Sequence, residues 1–512
     1  MNIFWPKLNY LSRVAFLSII LVESTSFLGY LAPTWNLIGF WALVLLAIYL
    51  TAKKLELGLA MLWLELLIGS KGYLFYGFVG GHKISIRIAL WLAVMSIWFI
   101  TFCYRYYKTK QNPIQFNFKE NKHVYWALLG FSLFLAWGVI NGFLRHTPVA
   151  NIISDANAWV YGLLFFPLLS ITWNRITWQN IFSLFWVGTS WLALKTLGLF
   201  FIFSHEQYVL VYLLYRWVRT TGVGEITAMQ VGFYRVFIQS QWYNLIAYFW
   251  LIILIPRPYF NTKIACFKDK YFWAWLGLAG LNFSVILISL SRSFWIGLLV
   301  GLVFLFGYII IPKFYHRSSI SIKPFIHKLI LSVMAGVLMV IVAITFPYPK
   351  PLAGLDAAKL FRDRVSDSNE VALGSRWLLL PKLTNAIKQN PIAGQGFGQA
   401  ITYTSLDPRI ATSNSGRQYT TFAFEWGWLD LWLKIGLIGL LFFITTYYLM
   451  VKKLIIVFKN EANLALTLIL PAILLVAVHM FTPYINHPLG IGLLLLILIA
   501  AIQPQSLLSK ND

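Results

Sequence analysis

The chain has 512 residues, of which 59% are hydrophobic and 11% charged, a balance that reads as membrane rather than soluble protein. Its formal net charge of +24 is spread over alternate loops and forms no single solvated basic face, which excludes a nucleic-acid surface. Of its two cysteines, Cys103 falls in an apolar span and Cys266 in a polar loop, and neither they nor the scattered His146, His205, His479 and His487 show metal-site spacing.

A hydrocarbon core of about 30 Å takes roughly 20 apolar residues per helix. Hydropathy places about 14 candidate spans, near residues 14–31, 34–51, 55–69, 85–104, 124–143, 157–172, 179–203, 236–255, 272–290, 293–312, 326–347, 426–451, 462–482 and 487–503. The third and sixth are short enough to be tilted, half-inserted or interfacial instead. Glu23 interrupts the first, which reads as a retained helix rather than a cleaved signal. Basic residues occupy every second loop: Lys53/Lys54, Arg105 to Lys122, Arg257 to Lys270, Lys313 to Lys328, and Lys452/Lys453/Lys459. By the positive-inside rule these loops and both termini are expected in the cytoplasm. The expected fold is all-α, a polytopic integral membrane domain over 1–512 with about 12–14 transmembrane helices and one long extracytoplasmic loop.

Two excursions fall on the opposite side. In residues 204–234 the portion EQYVLVYLLYRWVRT predicts an interfacial helix, with Arg216 and Arg219 near the headgroups. Residues 348–425 are the long loop. There LAGLDAAKLFRDRV predicts one helix, and RWLLLPKLTNAIKQ a second, capped by Ser375, kinked at Pro381, with Trp377, Leu380, Leu383 and Ile387 at helical spacing. Asn390-Pro391 ends it, GQGFG predicts a flexible or close-approach turn, and 399–418 reads as a polar, mobile stretch.

Ionisable residues inside spans are costly and need a partner, a cavity or a function. The candidates are Glu23, Glu65, Arg87, Asp155, Lys195, Arg235, Arg292, Glu425, Asp430, Lys434 and His479. Arg292 lies in SLSRSFWIGLLVG, a tight turn that holds it at a membrane boundary beside Ser291. Gly297 and Gly301 there allow a neighbouring helix to approach. Its planar fork suits bidentate contact with phosphate or pyrophosphate; the competing reading is a headgroup anchor. Arg235, in GFYRVFIQSQWYNL, is expected at the start of a span. Asp430 and Lys434 are spaced for an i,i+4 ion pair. Glu425 reads either as a helix N-terminal acid or as an acid/base or sugar contact.

SLSRSFWIGLLVG, then GSRWLLLPKLTNAIKQNPIAGQGFG, then KIGLIGLL follow one another in an order that resembles the O-antigen ligase and O-antigen polymerase superfamily over residues 230–445. The resemblance implies a glycosyltransferase-C-like helical membrane fold without metal or nucleotide cofactor. It implies substrates that are polyprenyl-pyrophosphate-linked glycans, handled on the outer face of a bacterial cytoplasmic membrane, with a glycan or lipid acceptor. It implies Arg292 and Arg235 as pyrophosphate-neutralising catalytic residues, with Glu425 where the family's ligases carry a histidine. Arg376, Arg216, Arg219, Ser291 and Asp155 are the expected substrate-binding residues. The missing histidine puts polymerase ahead of ligase. Membrane lipids and other envelope-polysaccharide assembly proteins are expected partners, nucleic acid is not, and the different-class alternative is a polysaccharide flippase or transporter.

Overall fold

A computed structural model describes residues 9–110, 112, 114–230, 232–254, 270–311, 322–352, 371–406 and 417–508. In lipid every backbone N–H and C=O needs an internal partner, and the apolar runs accordingly form helices. The chain begins with α1 (Tyr10–Leu31), α2 (Pro33–Lys53) and α3 (Leu55–Ile68), then a hairpin of β1 (Tyr76–Val79) and β2 (His82–Ser85). Next come α4 (Ile86–Thr109), α5 (Phe118–Leu144), α6 (Val149–Val160), α7 (Phe165–Leu169), α8 (Arg175–Phe203) and α9 (Tyr208–Thr220). A second hairpin, β3 (Glu225–Gln230) with β4 (Phe233–Phe237), leads to α10 (Trp242–Leu254), α11 (Lys270–Ser289), α12 (Arg292–Ile310) and α13 (Ile322–Thr345). Beyond it lie α14 (Val371–Gln389) and a third hairpin, β5 (Ile401–Thr404) with β6 (Gln418–Thr421). The last long helices are α15 (Gly427–Val457), α16 (Ala462–His479) and α17 (Pro488–Ile502), followed by a one-turn helix at Gln505–Leu508.

Among the described residues eleven helical stretches are long and apolar enough to cross a membrane. The other three expected spans coincide with the shorter α3, α10 and α17. The span expected at 157–172 is instead the broken helix α6–α7, begun earlier at Val149 and interrupted by a 3-10 turn at Tyr161–Leu164. Large apolar side chains of α1, α2, α4 and α13 remain exposed, as lipid-facing surfaces do, whereas every residue of α10 is buried. Gly297 and Gly301 admit the neighbours expected of them: a Cβ there would meet Leu245 of α10 and Val478 of α16, or Phe249 and Leu474.

The charges inside this apolar body are paired across helices, as their desolvation requires. Lys195 of α8 meets Glu23 of α1 at 2.5 Å, and Arg87 of α4 meets Glu65 of α3 through two bonds of 2.7 and 3.0 Å. One face of the bundle collects the hairpins and long connections. There Asn36 bonds Tyr76 O, Lys83 bonds Thr220 O, Gln239 N bonds Ser70 Oγ, and His205 bridges to Pro351. We call this the loop face. The other carries Lys53, Lys108, Lys452 and Lys459, and is the basic face.

Within 348–425 the first expected helix lies outside the described residues. The second begins by Val371, so Ser375 sits inside it and caps nothing; its Oγ accepts from Leu406 N at 2.9 Å. The buried stripe of α14 is Leu379, Leu383 and Ile387, while Trp377 is exposed. These positions, four apart, pack on Ile401, Tyr403 and Phe424 of the following segment, which the helical spacing alone did not locate. Part of the stretch expected to be mobile is the β5–β6 hairpin.

Candidate functional site

Arg235 is not at the start of a span, as expected, but in β4, opposite Thr227. A β-branched and aromatic run, FYRVF, favours strand over helix there. The strand carries Arg235 to the turn between α11 and α12, where its Nε donates to Ser289 O at 2.9 Å and its guanidinium lies 4.9 Å from the Phe237 ring. Leu290 takes a left-handed φ of 43° in that turn, and Arg292 begins α12 directly after Ser291. The Ser291 and Ser293 hydroxyls are 2.9 Å apart, and Thr482 donates to Ser293 at 3.1 Å. The Arg235 side chain and three hydroxyls are therefore brought to the turn from which Arg292 starts α12, a donor-rich stretch of the kind that holds a phosphate.

Glu425 precedes α15 rather than opening it, and its carboxylate is hydrogen-bonded to the Arg376 guanidinium of α14. Trp426 joins them by donating to Arg376 O at 3.1 Å, and its ring lies tilted against Phe481, centroids 5.5 Å apart. Phe481 is the neighbour of Thr482, so one connection, residues 480–487, links the arginine turn to the Glu425 corner. Arg216 and Arg219 stand on α9 over Tyr212 and Tyr215, with Arg219 3.8 Å from Glu225. No contact joins them to the arginine turn among the described residues.

Asp155 lies in the first two turns of α6. It meets Lys434 at 2.5 Å, and Lys434 meets Asp430 at 2.6 Å, the pair expected from their spacing. Asn486 adds a 2.5 Å bond to Asp430. The same Asp155 accepts from Gly398 N at 2.9 Å, in the GQGFG turn. That turn is the close-approach alternative: Gly394, Gly396 and Gly398 have φ of 77°, 87° and 78° and press on the backbones of Gly436, Gly142 and Ile152. Opposite it α15 breaks at Gly436 (φ 70°, ψ 177°). The freed carbonyls of Leu433 and Lys434 accept from Gln395 N and Gly396 N at 2.6 and 3.2 Å, and Leu437 N donates to Pro391 O at 2.9 Å. The turn thus replaces helix bonds inside the bundle, which is how a broken membrane helix survives.

Beside this network is a cavity of about 490 Å³ whose wall includes Lys71, Arg87, Asp155, Tyr161, Asn486 and His487. Arg87, Asp155, Asp430 and Lys434 stand out in the sequence as charges within spans. Lys71, Tyr161, Asn486 and His487 do not; the only local signal is His487 before Pro488, a helix-start pattern. His487 indeed caps α17, accepting from Leu489 N at 3.3 Å. Its imidazole is pushed down to about 3, first by burial and then by the Arg87 and Lys71 cations. Burial also pushes the Tyr484 hydroxyl up, which keeps it a donor to Gln239 O at 2.7 Å.

A helical, polytopic membrane protein, with its polar groups and hairpins gathered on one face, is the class this architecture defines. Residues 277–444, about a third of the chain, match the family model described as O-antigen ligase. Over those residues the chain is thus similar to the O-antigen ligase family. No curated protein matches it.

Proposed function

We propose that the protein transfers a glycan from a polyprenyl pyrophosphate carrier to an acceptor at the loop face, as a polymerase rather than a ligase, in a bacterial cytoplasmic membrane. The reach of the Arg235 side chain to the turn from which Arg292 starts α12 carries the reading. In this transfer the acceptor hydroxyl oxygen bonds to the anomeric carbon, and the carbon–oxygen bond to pyrophosphate breaks. Polyprenyl pyrophosphate leaves with the electron pair, and the hydroxyl proton passes to a base. Arg235 and Arg292 stabilise the charge that grows on the leaving group. Glu425, half exposed beside Arg376, is the proposed base, and Arg376 orients it. Ser291 supplies a further donor to the pyrophosphate, Asp155 holds the GQGFG turn, and Arg216 and Arg219 meet lipid or glycan away from the chemistry.

The test is a deletion strain complemented by variants, with surface glycan sized. Arg292→Ala and Arg235→Ala are each expected to lower transfer by about 10²–10³-fold, leaving acceptors with single repeat units. Intact chains stranded on the carrier would make the enzyme a ligase. Full-length glycan at normal expression in both variants overturns the site.

The break at Gly436 favours a second reading, transport of the lipid-linked glycan, because transporters place broken helices at their substrate sites. Repeat units trapped on the cytoplasmic side of the deletion strain would identify it.

A further inference from the structure

The corner that holds Glu425 carries more than a charged pair. α14 presents Arg376 and Trp377 in succession, and the stretch leading into α15 presents Glu425 and Trp426. The two dipeptides face each other. The Arg376 guanidinium meets the Glu425 carboxylate, and the rings of Trp377 and Trp426 lie 5.5 Å apart at 65°. The bond from the Trp426 indole N–H to Arg376 O, 3.1 Å, ties one side to the backbone of the other. Beneath them Leu379, Leu383 and Ile387 of α14 pack on Phe424. Packing rather than a free loop therefore sets these side chains.

Trp377 nevertheless stays 55% exposed. A tryptophan at a membrane boundary commonly anchors to headgroups. Here, however, the Glu425 side chain beside it is itself 54% exposed, and a carboxylate turned to hydrocarbon is costly. The corner opens to water, with a large apolar ring left uncovered.

An occupant of this corner must combine an apolar face with hydroxyls. A pyranose ring does both. Its C–H face packs on an indole, and its hydroxyl edge donates to a carboxylate and accepts from a guanidinium. Trp426, backed by Phe481, stands across the Trp377 ring as an end wall. The charges of Arg376 and Glu425 offset each other, which suits a neutral sugar. A uronate would set a second carboxylate against Glu425, a like-charge contact.

We infer that Trp377 and Trp426, with the Arg376–Glu425 pair, form a subsite that seats one neutral pyranose ring of the acceptor and disfavours an acidic one. The inference rests on the transfer reading proposed above, in which Glu425 is the base. The hydroxyl that donates to Glu425 is then the one that attacks, so the seating of the ring on Trp377 selects which acceptor hydroxyl is joined.

The experiment titrates full-length protein in phospholipid nanodiscs with the methyl β-pyranosides of glucose, galactose, N-acetylglucosamine and glucuronic acid, followed by saturation-transfer NMR. At least one neutral pyranoside is expected to bind, and the glucuronide more weakly than the glucoside. Trp377→Ala is expected to weaken the neutral ligand about two- to tenfold, and Trp377→Phe, which keeps a ring, by less. Since Trp377 is exposed, neither change opens a cavity in the core. Glu425→Gln is expected to bring the glucuronide up to the glucoside. Failure of every neutral pyranoside to bind, or equal binding by wild type and Trp377→Ala, overturns the inference and leaves Trp377 a headgroup anchor. Should Trp377→Ala weaken binding while Arg235→Ala and Arg292→Ala still make full-length surface glycan, the sugar subsite stands and the transfer reading falls.

Discussion

Lys434 illustrates what one residue does here. It lies in a membrane helix, almost wholly buried, and touches Asp155 of α6 and Asp430 of its own helix. Removing it leaves two buried carboxylates without their cation, and loss of one partner of a buried pair costs about 3–5 kcal/mol. Lys434→Met is expected to lower stability by that order in detergent, measured by thermal unfolding; a drop within error of wild type would show the network to be incidental. His487 gives the pH dependence. Its folded pKa, about 3, lies below the ordinary 6.5, so the unfolded chain takes up a proton that the folded protein refuses. The stability it contributes is complete above about pH 6.5 and is lost as pH falls toward 3. His487→Asn, which keeps a capping side chain, is expected to flatten the loss between pH 6.5 and 4. Equal slopes in the two proteins would remove His487 from the account.

At the scale of elements, the junction of the GQGFG turn with α15 is the least ordinary feature. Gly436 sits at φ 70° with Ile392 O 2.1 Å from where a Cβ would be. Gly436→Ala therefore meets both a strained backbone and an overpacked contact, together about 2–6 kcal/mol. Gly307, in α12, has open space around it, and Gly307→Ala is expected to be neutral or to stabilise by up to about 1 kcal/mol. Comparing the two melting temperatures separates the special glycine from an ordinary helical one. This junction was half legible. The glycines of GQGFG marked a turn, but that it enters the bundle and supplies donors to Leu433 and Lys434 required a partner 38 residues away. Arg235 shows the same limit. Its apolar surroundings read as a span, whereas pairing with β3 made them a strand, and pairing is set by a neighbour rather than by the residues themselves.

For the whole molecule, charge sets the expected orientation in the membrane. The basic face is expected inside, since lysine and arginine are retained on the cytoplasmic side. With Cys103 and Cys266 replaced by serine, Thr402→Cys on the β5–β6 hairpin is expected to react with an impermeant maleimide in intact spheroplasts. Lys459→Cys is expected to react only after permeabilisation. The reverse pattern would invert the topology and remove the loop face from the side where carrier-linked glycan is proposed to be used.

Hydropathy and charge in the sequence were enough to determine a many-span helical membrane protein, its alternating basic loops, the Asp430–Lys434 pair and the arginine turn after α11. These are local properties: apolar length, i,i+4 spacing and a tight turn need no distant partner. Only the tertiary structure decided that Asp155 belongs to that ion pair and that Arg235 reaches Ser289. It alone tied Glu425 to Arg376 and opened a cavity beside Tyr161. Each of these depends on helices far apart in the chain packing side by side. The burial that makes a charge or hydroxyl need a partner is a property of that packing, not of the residue.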